Sequence, residues 1–294
     1  MTAPAAGDER TTVAVGYDGS EEAQSAVRWA ARYASAGGYG LLVVHAWVWP
    51  LFTKKLGPVK GVEGSGLRNA AEALLAEGVE LARAAVAAEP RPGAEGAPVV
   101  HGVMETGLPA AVLRDAASDA RLLVVSSRGL GGVLGHVAGS VCLDLAGSSP
   151  CPLMVIRRLR APGQAAGPVV VGIDGTSRSS AALAGAVRLA GLLGTALQIV
   201  HIDQSRGARG GHGRHGPLRG QELVDKTLED ARALAPELPV SGILREGHAA
   251  SKELLAAAAD AEVLVIGTHN REGGPGNTVT AVLNKARCNV LITR

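Results

Sequence analysis

A run of residues that returns 156 positions later limits what this chain can fold into. VAVGYDGS (Val13 to Ser20) comes back as VVVGIDGT (Val169 to Thr176), and LLVVHAW (Leu41 to Trp47) comes back as LQIVHID (Leu197 to Asp203). Asp18 and Asp174 keep the 156-residue interval, and so do His45 and His201. RLLVVSSRG (Arg121 to Gly129) then answers to EVLVIGTHN (Glu262 to Asn270), and CPLMVIR (Cys151 to Arg157) to CNVLITR (Cys288 to Arg294). Solenoid units repeat every 20–50 residues or about that, so a period this long is a duplicated domain. We place the first copy at 1–160, a linker with Pro and Gly at 161–168, and the second copy at 169–294.

Each copy opens with a short β-branched run that stops at Gly-Xaa-Asp-Gly. Apolar runs without alternation read as strands covered on both faces. After Ser20 the residues Ala23, Ala26, Val27, Ala30 and Ala34 recur at helical spacing. Ser20 can cap that helix, and Glu21 and Glu22 suit its positive end. Strands then alternate with helices to the end of each copy: helices over Arg68–Ala88, Pro109–Ser118 and Gly139–Ala146, strands over Val99–Val103, Leu122–Ser126 and Leu153–Ile156. The second copy repeats the order. Such alternation implies parallel crossovers and an open, doubly wound α/β sheet in each copy. Aromatics are only 2% of the chain and hydrophobic residues 47%, so the cores must be built from Ala, Val, Leu and Ile.

Composition removes several function classes. The 29 basic and 27 acidic residues nearly cancel, which argues for neither DNA nor an anionic membrane as partner. Cys142, Cys151 and Cys288 are too few and too scattered for a disulfide framework or a zinc motif, and read as small buried hydrophobes in a reducing compartment. No apolar run approaches the roughly 20 residues that span a bilayer. The first residues lack the pattern of a signal peptide, and the expectation is a cytoplasmic protein. Two loops stand out, Pro50–Gly66 and Ser205–Gly220. The second carries Arg206, Arg209, Arg214 and Arg219 among glycines. Its composition favours a solvated loop; a phosphate- or RNA-touching patch and a metal site at His212 and His215 are the alternatives.

Ligands in open α/β sheets bind beyond the carboxyl ends of the strands, where strand order reverses. Three segments converge there in the first copy: Asp18-Gly19-Ser20, Val44-His45-Ala46, and Ser126-Ser127-Arg128-Gly129. Nine residues after Gly129 come Gly139, Ser140 and Val141 at the start of a helix. Glycines let a phosphate approach the backbone, and a helix N-terminus offers aligned donors. Arg128 can add charge or form a surface ion pair. Asp18 reads as a hydrogen-bond acceptor in the cleft, or as an Asx turn at the strand exit. There is no P-loop, no Gly-x-Gly-x-x-Gly after the first strand and no nucleophile elbow.

These residues together resemble a tandem universal stress protein over almost the whole chain. The family's nucleotide motif is Gly, two residues, Gly, nine residues, Gly, then Ser or Thr. Here it reads Ser126-Ser127-Arg128-Gly129, nine residues, Gly139-Ser140. The resemblance implies two Rossmann-like domains of the adenine nucleotide alpha hydrolase type, each an open five-stranded parallel sheet with helices on both faces. It implies ATP as ligand, with or without magnesium. Asp18 and the backbone at Val44–Ala46 would hold adenine or ribose, and Gly129, Gly139, Ser140 and Val141 the phosphates. It also implies a homodimer, or close pairing of the two copies within the chain, through the last strands Leu153–Ile156 and Val290–Thr293.

The copies depart from the motif differently. Ser126 replaces the first Gly in copy one. Copy two keeps Asp174, Gly175, Val200, His201, Gly267 and Thr268, but Asn270 stands where Gly129 does. Aligning back from Cys288 matches Gly276-Asn277 to Gly139-Ser140, leaving five residues in place of nine. A loop that short, stiffened by Pro275, should not enclose a triphosphate, so the second site is expected to be impaired or specialised. The leading function is a nucleotide-binding regulator of stress or dormancy with an unknown protein partner, holding nucleotide mainly in copy one. The alternatives are a slow ATPase, in which Asp18 holds a metal-bound triphosphate, and an interaction protein that has lost the nucleotide. His45 is a candidate base in the enzyme reading, but its return as His201 suggests a structural role.

Overall fold

The computed structural model describes residues 11–47, 65–89, 97–129, 138–160, 164–203, 218–247, 249–268 and 274–294. Most of the loops Pro50–Gly66 and Ser205–Gly220, the glycine loop at 130–137, and Asn270 lie outside the described residues. The chain divides into two compact units, 1–131 with 149–151, and 132–148 with 152–294. This division does not follow the repeat, because the last helix and strand of the first copy group with the second.

In the first unit, β1 (Thr12–Gly16), β2 (Gly40–Trp47), β3 (Val100–Thr106) and β4 (Leu122–Ser126) run parallel in the order β3-β2-β1-β4. Helices α1 (Glu21–Gly37), α2 (Ser65–Ala88) and α3 (Pro109–Ala116) are the crossovers. β3 runs three residues past the expected Val103, because its pairing with β2 continues to Thr106 opposite Trp47. Its exposed His101, Gly102, Glu105 and Thr106 hide that length from a search for apolar runs.

The second unit holds α4 (Ser140–Ser148), β5 (Leu153–Ile156), β6 (Val169–Ile173), α5 (Ser177–Leu193), β7 (Leu197–Asp203) and α6 (Gly220–Leu234). It continues with β8 (Val240–Glu246), α7 (Ala250–Ala257), β9 (Val263–Gly267), α8 (Asn277–Lys285) and β10 (Asn289–Thr293). Strand order is β5-β10-β9-β6-β7-β8, parallel except for β5, which lies antiparallel to β10 with Val155 opposite Val290. Strand order reverses between β6 and β9. No helix among the described residues is long and apolar enough to cross a membrane.

Glycines in the strands let the helices lie close. A Cβ on Gly16 would stand 3.1 Å from Leu113 of α3, and one on Gly172 would stand 2.7 Å from Leu254 of α7. Leu113 and Leu254 are themselves equivalent in the repeat, so the first Gly of each Gly-Xaa-Asp-Gly makes room for one leucine. The next position varies in size, and its neighbour compensates. Tyr17 packs where a Cβ on Gly78 of α2 would overlap its ring at 2.6 Å. Its counterpart Ile173 leaves room for a side chain at the position equivalent to Gly78, and buried Thr227 occupies it. The Tyr17 hydroxyl donates to Glu77 Oε1 at 2.5 Å. Burial, with the Glu77 carboxylate second, pushes the phenol above its ordinary value, which keeps that proton in place.

Within the second unit the last strands cap the last helices. Arg157, just past β5, donates from Nη2 to the carbonyl of Leu283 in the last turn of α8. Arg294, just past β10, donates from Nη2 to the carbonyls of Leu145 and Ala146 in α4, at 3.3 and 3.0 Å. The two arginines hold the same place in CPLMVIR and CNVLITR, so each copy's final arginine serves the other copy's final helix. A cation there also complements the negative helix end. Asn289 Oδ1 accepts from the amides of Arg157 and Arg158 at 2.9 and 3.2 Å and holds the strand end.

The two first helices start differently. Ser20 has extended backbone and its Oγ accepts from the Ala23 amide at 3.1 Å, while Thr176 makes no side-chain cap. A capping serine contributes about 1 kcal/mol; the Ser20 and Thr176 hydroxyls each also donate to the aspartate two residues back, and loss of that exposed contact in the second copy changes stability by under about 0.5 kcal/mol. We therefore expect Ser20→Ala to cost about 1 kcal/mol in urea unfolding and Thr176→Ala to cost less than half of that; equal losses would contradict the assignment. All three cysteines are buried, and burial pushes the Cys142 thiol up to about 12 and raises that of Cys288. At pH 8 the native chain should release no colour from a thiol-exchange reagent, and the urea-unfolded chain should titrate all 3 thiols.

Candidate functional site

In each copy the first strand ends in a turn built on a carboxylate. Asp18 Oδ1 accepts from the amide of Ser20 at 3.1 Å and from its hydroxyl at 2.6 Å. Asp174 Oδ1 accepts from the amide and hydroxyl of Thr176 at 3.0 and 2.7 Å, and from Ser179 Oγ at 2.8 Å. Between them, Gly19 at φ 85° and Gly175 at φ 77° adopt the left-handed conformation that the turn requires. The Asx turn is thus real, and it orients the carboxylate without using all of its roughly four acceptor sites.

The histidines have a structural task in both copies. His45 Nδ1 lies 2.8 Å from the carbonyl of Tyr17, and His201 Nδ1 lies 3.0 Å from that of Ile173. A carbonyl only accepts, so each ring carries its proton on Nδ1 and uses it to tie β2 to the end of β1, or β7 to the end of β6. Both rings are buried. The Tyr17 amide also donates to Val44 O at 2.9 Å, which fixes the strand ends at Val44–Ala46.

In the first copy, Gly129 lies against Asp18: a Cβ there would overlap Asp18 Oδ2. Glycine at 129 therefore makes room for the carboxylate, a reason beyond phosphate access. The hydroxyl of Ser126, which replaces the first Gly of the motif, donates to the carbonyl of Arg128 at 2.5 Å and closes its own turn. Ser127 is buried. Arg128 Nη2 pairs with Glu22 at 3.5 Å, the surface ion pair among its two readings. Gly139, Ser140 and Val141 open α4, with Gly139 O accepting the first helical bond from Leu143 at 3.1 Å. They group with the second unit.

In the second copy the described residues enclose a cavity of about 240 Å³. It opens at the carboxyl ends of β6 and β9, where the strand order reverses. Its floor is Gly172, Ile173 and Ile266, and its apolar side comes from Ile202 and from Leu254 of α7. The polar side comes from Asp174, from Arg178 and Ser179 in the first turn of α5, and from Gly276, Asn277 and Thr278 at the start of α8. A Cβ on Gly267, also in the wall, would meet Arg178 at an ordinary 3.7 Å. The turn before α8 rests on α4, since a Cβ on Gly147 would stand 2.9 Å from the backbone of Gly274.

Of the expected second-copy residues, Asp174, Gly267, Gly276 and Asn277 are brought together in this wall. Gly175, Val200, His201 and Thr268 flank it without lining it. Thr268 is buried, and its hydroxyl has no partner among the described residues. Arg178 and Ser179 were missed. The signal for Arg178 was present, because 156 residues earlier the equivalent position is Glu22, and the repeat that aligns everything around it reverses the charge there.

The family model described as Universal stress protein family matches twice, over residues 9–157 and 166–294. The universal stress protein Rv2005c of Mycobacterium tuberculosis is 30% identical over 291 residues, covering 96% of each chain. Another from the same organism, Rv2623, is 28% identical and covers 98% of each. Among solved structures, a universal stress protein from Archaeoglobus fulgidus superimposes with a TM-score of 0.72 at 16% identity, covering 97% of this chain and 99% of that one. A putative universal stress protein from Pseudomonas aeruginosa gives 0.58 at 18% identity, covering 97% and 94%. The structural likenesses carry the fold, two Rossmann-like α/β halves. With both halves matched by the family model and its relatives spanned nearly end to end, this chain belongs to the universal stress protein family.

Proposed function

We propose that the chain binds an adenine nucleotide in the cleft at the carboxyl ends of β6 and β9, and that occupancy regulates a response to stress or dormancy in the cytoplasm. The observation that carries this reading is the cavity itself, at the strand-order reversal where open α/β sheets take their ligands. An apolar side, one carboxylate and a helix N-terminus are the partition that a nucleotide needs: base, ribose and phosphate. The family resemblance supplies adenine. Magnesium would enter with the phosphates of a bound ATP.

The first copy carries the full-length glycine loop in its sequence and suits ATP. The second has the shorter loop and a cavity of about 240 Å³, below the roughly 300–1,000 Å³ typical of small-molecule sites. It suits a nucleotide with fewer phosphates. Binding in place of turnover is supported by the burial of both histidine rings in the strand ends. A change in occupancy would then be read by a second copy of the chain or by a regulatory protein.

Titration calorimetry of the full chain with ATP and with AMP tests this. Saturable binding is expected for both, and at a hundred times Kd a ligand should raise stability by about 2.7 kcal/mol. Asp174→Asn keeps the turn's acceptor and removes the charge, and should weaken second-cleft binding about tenfold, or about 1.4 kcal/mol. No heat and no stabilisation at millimolar ATP or AMP would overturn the reading in favour of an interaction protein without nucleotide.

A further inference from the structure

Position 22 of the first copy and position 178 of the second are equivalent in the repeat, yet one is Glu and the other Arg. In the first copy the acid pairs with Arg128, whose side chain is thereby drawn toward α1. In the second copy the cation lines the cavity, and no described residue forms an ion pair or hydrogen bond with its side chain. We propose that Arg178 is the phosphate ligand of the second cleft and makes it selective for a nucleoside monophosphate. The inference rests on the nucleotide reading above and adds which phosphate chemistry the cleft takes and which residue decides it.

Three observations converge. First, Arg178 is held at the β9 exit, its Cβ and backbone packed over Gly267. Its guanidinium swings from a fixed base, and a planar fork of donors matches phosphate oxygens. Second, α8 begins in the same wall, and its first intrahelical bond, from the Thr280 amide to Gly276 O at 2.9 Å, leaves the amides of Asn277, Thr278 and Val279 without an intrahelical partner. Among the described residues no atom lies within 4 Å of a Cβ position at Gly276, and none of them bars an anion from that helix end. Third, the loop joining Asn270 to Gly276 has five residues in place of nine. It is too short to wrap a triphosphate as a nine-residue glycine loop does.

The charges also separate along the cleft. Asp174 lines it too and repels phosphate, so phosphate belongs between Arg178 and α8 while the ribose hydroxyls face the carboxylate. One cation and one helix end are matched to one phosphate group. Each further phosphate would bring negative charge without a further described cation in the wall.

The test is hydrogen–deuterium exchange of the full chain, followed at residues 174–179 and 276–280 during titration with AMP, adenosine and ATP. In the native chain AMP should protect both segments at concentrations about tenfold or more below adenosine, and ATP should do no better than AMP. Arg178→Gln and Arg178→Glu should raise the AMP midpoint about tenfold to a hundredfold, toward that of adenosine, and leave the adenosine midpoint within about twofold. Arg178→Lys, which keeps the charge but not the fork, should fall between. Arg178 is exposed, so the variants should fold as the native chain does, and an unchanged adenosine midpoint verifies that. If AMP binds Arg178→Gln as it binds the native chain, or if ATP outcompetes AMP, the inference is overturned while the nucleotide reading stands. If none of the three ligands protects these segments at millimolar concentration, both fall.

Discussion

Just past the first strand of each copy, a carboxylate folds back on its own chain and decides where the rest of the cleft can be. Asp18 and Asp174 each bind the amide two residues on, across a glycine at positive φ. That turn leads directly into α1 and α5. In the first copy the carboxylate needs the bare Cα of Gly129, and in both copies a histidine from the next strand ties its ring to the carbonyl just before the turn. Gly16 and Gly172 bring α3 and α7 down on the same strand ends. The Gly-Xaa-Asp-Gly run is therefore a joint, and the joint holds a carboxylate at the strand-order reversal.

The duplication kept this joint and changed what surrounds it. Ser20 became Thr176, and the side-chain cap was lost as Ser179 joined the carboxylate in its place. Glu22 became Arg178, which moved a cation from an ion pair into a cavity wall. The phosphate loop lost four residues. The histidine tie is kept in both copies, while Tyr17 and Ala46 stand where the second copy has Ile173 and Ile202.

Much of the fold was legible because repeats expose packing rules twice. Strand limits followed from β-branched runs, and the α1 and α5 helices from alanines at helical spacing. The β3 strand ran longer than expected because most of its residues are open to solvent and it lacks an apolar run. The grouping of α4 and β5 with the second unit rests on the antiparallel pairing of β5 with β10, the strands that the family resemblance singled out, and on arginine-to-carbonyl bonds between residues over 120 positions apart, which no local pattern announces. In the site, the glycines and aspartates were legible because turns and close approach demand specific residue types. Ser126 was not, because a hydroxyl can point to a ligand or to its own backbone, and only the turn geometry chooses. Arg178 was visible only as a charge reversal, which becomes meaningful once the cavity beside it is known.

The decisive question is whether the second cleft holds one nucleotide with its phosphate between Arg178 and the start of α8. A crystal structure of the full chain grown with AMP answers it. Phosphate oxygens are expected within hydrogen-bonding distance of the Arg178 guanidinium and the Asn277 or Thr278 amides, with the ribose toward Asp174. A cleft left empty while AMP binds elsewhere, or a nucleotide whose phosphate turns away from Arg178, would contradict it.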